Sequence, residues 1–96
     1  MRAPILAVLV WSAHFAIIYG FTALACARQM IAAVPWVVGA ASAAALLALA
    51  AVVVPAGLRA ARAPSLADFL ALGLGALATI AVAWETSALL WVPACA

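Results

Sequence analysis

Three uninterrupted apolar stretches, roughly residues 4 to 27, 33 to 54 and 66 to 92, decide what this chain can fold into. A helix needs about 20 apolar residues to cross a hydrocarbon core of about 30 Å, and each stretch is long enough. Inside lipid every backbone N–H and C=O must find its partner within the protein, so only helices and closed barrels span it. Barrel strands alternate apolar and polar residues, whereas these runs are continuously apolar and rich in alanine. The expected fold is all-α, an integral membrane bundle of three transmembrane helices making one domain over residues 1–96. The connecting segments, Arg28-Gln29-Met30 and residues 56 to 64, are too short to fold separately.

Composition closes the other routes. The chain is 74% hydrophobic and 6% charged, with four arginines, two acids and one histidine. Soluble domains carry about 25% charged residues, which excludes a soluble globular enzyme. A disordered chain needs high charge and low hydrophobicity, and a nucleic-acid binder needs a basic face; neither is present. Helix punctuation supports the three spans. Pro4, Pro35 and Pro64 fall at or just before helix starts, where a missing N–H costs nothing. Ser65 with Asp68 reads as a variant capping box. Pro55 and Gly57 are expected to stop the second helix, and Pro93 the third. Trp36 and Trp91 fall near helix ends as an interfacial belt would, while the deeper Trp11 and Trp84 fit packing against a partner.

Basic loops stay on the cytoplasmic side. Arg2, Arg59 and Arg62 fall on one face of the membrane and Arg28 alone on the other, so the N-terminus is expected inside and the C-terminus in the periplasm. That orientation sets Cys26 and Cys95 at the outer ends of the first and third helices, in an oxidising compartment where disulfides persist. One disulfide joining those helices is the expectation; two unpaired thiols are the alternative. Arg2, an apolar run and Ala23-Leu24-Ala25-Cys26 together look like a lipoprotein signal. The stretch is longer than an ordinary signal core and contains His14, so a true span is expected.

Two ionisable residues lie inside the spans, His14 and Glu85. Such groups cost about 2.5–3.5 kcal/mol or more in the bilayer and are functional-site candidates by default. Counted back from the cysteines, their depths are similar, so the parallel first and third helices can bring them together. Four readings stay open. They bond to each other, or to Ser12, Thr86, Ser87 or a backbone carbonyl, and hold helices together. They satisfy polar groups of a larger partner. His14 is an axial ligand to a haem or another pigment. The pair relays protons. Small residues recur every four positions at Ser12, Ala16 and Gly20, at Gly39 and Ala43, and at Ala71, Gly75 and Thr79, a spacing that lets helices approach closely. No nucleophile–base set, phosphate loop or metal cluster is visible, so no catalytic residue, metal or cofactor is expected. Small multidrug transporters of similar length have four helices and an acid in the first, a pattern this chain lacks.

Trp11-Ser12-Ala13-His14-Phe15, Tyr19 and Ala23-Leu24-Ala25-Cys26 in the first helix, with Trp84-Glu85 and the closing Trp91-Val92-Pro93-Ala94-Cys95, resemble small three-helix membrane proteins of proteobacteria associated with haem–copper terminal oxidases. The resemblance covers mainly the outer ends of the first and third helices. It implies a non-catalytic accessory subunit of a respiratory complex in the bacterial inner membrane, above all a cytochrome c oxidase, with the oxidase core and lipid as partners. His14, Cys26, Glu85 and Cys95 are the matching positions, and no catalytic role is implied for them. The competing expectations are a haem- or pigment-associated subunit liganded by His14, and a small transporter or homo-oligomer using Glu85.

Overall fold

The computed structural model describes residues 2–93 and 95. Among these the chain is helical throughout, with α1 at Arg2–Ala27, a 3-10 turn at Ile31–Ala33, α2 at Val34–Arg62 and α3 at Leu66–Trp91, and no strand. All three long helices are long and apolar enough to cross a membrane. The expected all-α architecture, with three helices long and apolar enough to span a membrane, is therefore what the chain adopts. The bundle measures 52 × 20 × 16 Å, and every pair of helices is in contact. A 26-residue helix extends about 39 Å at 1.5 Å per residue, so each overruns a hydrocarbon core of about 30 Å.

One expected boundary is wrong. The second helix does not stop at Pro55 and Gly57 but continues to Arg62, with Pro55 in its interior. Proline removes one backbone hydrogen bond, which breaks helices in water far more readily than within a bundle in lipid. The following Ala56–Arg62 segment is rich in good helix formers, and Arg59 gains a partner there by donating Nε–H to Asp68 Oδ1 at 3.0 Å.

The two turns are closed by local chemistry. After α1, Gln29 adopts φ 57°, while the N–H of Met30 bonds the Ala25 carbonyl at 2.7 Å and that of Gln29 bonds Cys26. This is a Schellman cap, with glutamine in the left-handed position usually given to glycine. At the second turn the Ser65 hydroxyl oxygen accepts the Asp68 N–H at 3.2 Å and donates its own proton to Asp68 Oδ2 at 3.0 Å, the expected capping box in variant form.

Lipid tails are as apolar as leucine, so close packing rather than hydrophobic burial must hold such helices together. The core answers with small and branched residues in two layers. Ala7, Ala45, Leu49, Ala78 and Val82 form one, and Ile18, Ala25, Val34 and Val38 form the other. Gly75 is the tightest point, because a Cβ there would collide with the side chain of Val53. Val53 is β-branched and has little rotamer freedom in a helix, so it cannot swing clear. Gly75→Ala is expected to destabilise the bundle by about 1–2 kcal/mol, as overpacking does. Adding Val53→Ala should restore most of the loss in detergent unfolding measurements, and no recovery would place the strain elsewhere.

Of the three small-residue stripes only the last is used inside the bundle. Ala71 and Gly75 are buried, whereas Ser12, Ala16, Gly20, Gly39 and Ala43 are all exposed. In helices this rich in alanine every face carries small residues, so their spacing alone does not select the packed one.

Candidate functional site: a buried polar layer

Between the two apolar layers lies a polar one, built from one turn of each helix. His14 sits on the inward stripe of α1 between Ala7 and Ile18, Ser42 between Val38 and Ala45 on α2, and Glu85 beside Val82 on α3. Helices α1 and α3 run parallel and α2 antiparallel, which brings the three positions to one level. His14 is 2% exposed and Glu85 8%.

The contacts are continuous. His14 Nδ1 lies 3.1 Å from Glu85 Oε2, and His14 Nε2 lies 3.0 Å from Ser42 Oγ. Ser42 Oγ is 2.7 Å from Thr86 Oγ1, whose proton goes to the Val82 carbonyl at 2.7 Å. The indole of Trp11 donates Nε1–H to Glu85 Oε1 at 3.0 Å. Both ring nitrogens of His14 and both carboxylate oxygens of Glu85 therefore have protein partners.

Where Thr86 gives its proton to the Val82 carbonyl, Ser42 donates to Thr86 and accepts from His14 Nε2. The Nδ1 edge of the ring then meets Glu85 through one proton carried by either partner, which leaves the pair with no net charge within the span.

Cys26 and Cys95 form a disulfide, with Cα atoms 5.6 Å apart. It ties the end of α1 to the segment beyond α3, as the cysteine depths predict. Among the described residues no group of three or more potential metal ligands occurs.

No protein-family model, curated protein or solved structure matches the chain.

Sequence reasoning anticipated His14, Glu85 and Thr86 at this level but missed two members. Ser42 was hidden in an alanine-rich run, although it is the only serine in α2 and lies about a third of the way along it. Trp11 was read as a contact for another protein, yet its polar edge turns to Glu85 within the bundle. Ser12, offered as a partner for the pair, is exposed instead, and Ser87 donates to the Ala83 carbonyl in its own helix at 2.8 Å.

Proposed function

We propose that this chain is a non-catalytic accessory subunit of an inner-membrane respiratory complex, above all a cytochrome c oxidase, which it stabilises by packing its helices against the core subunits. The observation that carries this reading is the outward direction of the small residues on α1 and α2. Ser12, Ala16 and Gly20 face away from the bundle, and a Cβ added at Gly20 or Gly39 would meet nothing within 4 Å. A smooth helix face has no use inside this fold, and it is what a neighbouring helix needs to approach a backbone closely. Trp84, in the same membrane-spanning region, is 76% exposed and offers a large anchor to the same kind of neighbour.

The polar layer supports a holding role rather than a chemical one. Axial ligation by His14 would require a ring nitrogen to abandon Ser42 or Glu85, and a transport path through Glu85 would have to break its bonds to Trp11 and His14. The proposed orientation, N-terminus cytoplasmic and C-terminus periplasmic, rests on Arg2, Arg59 and Arg62 lying at the end opposite Arg28. It sets the disulfide on the oxidising side.

Purification through this subunit in mild detergent, with mass spectrometry and an absorption spectrum of the same sample, tests the reading. Haem-bearing oxidase subunits are expected to co-purify. Ala16→Leu with Gly20→Leu should lower their recovery by about tenfold, equivalent to about 1.4 kcal/mol of lost packing, while helicity is kept. A lone, colourless protein would overturn the proposal.

A further inference from the structure

The end of the bundle bearing Arg2, Arg59 and Arg62 contains an opening that helix packing does not require. A cavity of about 560 Å³ lies among the start of α1, the last third of α2 and the start of α3, lined in part by Arg2, Leu6, Ala51, Pro55, Arg59 and Asp68. Its walls thus join apolar side chains to three charged groups at the level where a membrane-spanning helix leaves the hydrocarbon.

The donors around it are in surplus. A guanidinium carries five N–H donors in a rigid fork that suits phosphate oxygens. Arg59 spends its Nε–H on Asp68, and its terminal nitrogens have no partner among the described residues; the whole guanidinium of Arg2 is likewise unpaired. Two cations face one carboxylate, leaving one positive charge unbalanced at the cavity. An acceptor is on offer as well. Pro55 has no N–H to give the Ala51 carbonyl, and both residues line the cavity.

We propose that this cavity is a headgroup site for an anionic phospholipid of the phosphatidylglycerol class. Its phosphodiester carries the single negative charge that the walls lack, and its oxygens take the free N–H groups of Arg2 and Arg59. The glycerol hydroxyls are donors for the carbonyl that Pro55 leaves without one. A zwitterionic headgroup fits less well, because its own cation cancels the phosphate charge, and the one carboxylate in the walls that could face that cation, Asp68, is already bonded to Arg59 and Ser65. For the acyl chains, an apolar groove along Pro4, Ile5, Val8 and Leu74 begins at the cavity's own Pro4.

Native mass spectrometry of the detergent-purified full chain tests this, with phosphatidylglycerol, phosphatidylethanolamine or phosphatidylcholine added at equal concentration. Retention of phosphatidylglycerol is expected to exceed that of either zwitterionic lipid by about fivefold, the worth of one cation near a membrane surface. Arg2→Gln, which breaks no contact in the fold, should remove that preference. Ala51→Met, which fills the cavity and leaves every charge in place, should lower retention of all three lipids. Equal retention of the three lipids by the unaltered chain, or an unchanged preference in Arg2→Gln, would overturn the proposal. So would inorganic phosphate raising the thermal midpoint as far as phosphatidylglycerol does, because the site would then take a free anion and not a lipid.

Discussion

Glu85→Leu is expected to destabilise the bundle by about 3 kcal/mol, the upper end of the cost of leaving buried hydrogen-bonding groups without a partner. The substitution removes the acceptor of the Trp11 indole and the partner of His14 Nδ1 together. Neither group can turn to water at this depth, so what is lost is the pairing and what remains is the desolvation cost of the orphans. Single hydrogen bonds between helices in lipid are worth less, about 0.6 kcal/mol on average, because the separated helices find other partners. Glu85 exceeds that figure because its loss orphans two groups at once, the Trp11 indole and the His14 ring. His14→Leu alone should cost a similar amount. The double variant His14→Leu, Glu85→Leu should then be less damaging than the sum of the two by at least about 1.5 kcal/mol, since neither member of the pair is left facing a missing partner. Unfolding in mixed micelles titrated with denaturing detergent gives all four values. Strict additivity would mean that the two side chains do not act as a unit, and the layer would be reduced to separate contacts.

The same layer shows how far the sequence could be read. Span number and helical class follow directly from three apolar runs, because lipid leaves the backbone no alternative. Depth sets His14 and Glu85 at one level on parallel helices, which makes their meeting one of four open readings, since ionisable groups avoid lipid. The rotational setting of each helix does not follow. Soluble helices reveal their inward face by a polar opposite side, and here both sides are apolar. Ser12 and Ser42 are therefore equivalent in the sequence, yet one is exposed and the other is bonded to both His14 and Thr86. Pro55 misled for a related reason. It is a stop signal calibrated on helices in water, where an unpaired carbonyl is hydrated and the chain can depart; in α2 the helix persists and Ala51 keeps the unmatched acceptor.

Loss of the Cys26–Cys95 bond is expected to cost about 2–3 kcal/mol. The bond closes 69 residues of sequence, for which loop-closure entropy in a fully unfolded chain amounts to about 4.4 kcal/mol. That is an upper value here, because a separated membrane chain keeps its helices and has far fewer conformations to lose. Both half-cystines lie beside the layer of Ile18, Ala25, Val34 and Val38, while the second apolar layer lies beyond His14 and Glu85. Breaking the bond should therefore loosen the structure unequally. Amides near Thr22 to Cys26 and Leu89 to Val92 should exchange faster, with those around Ala7, Leu49 and Ala78 little changed, because the polar layer stands between the two ends. Hydrogen exchange on the Cys26→Ser, Cys95→Ser chain, alongside the same detergent titration, reads both quantities. Uniform acceleration along all three helices would make the bundle one cooperative unit through which the disulfide acts globally. No loss of stability would leave the packing of the helices sufficient by itself, with the covalent tie serving only to fix the segment after α3.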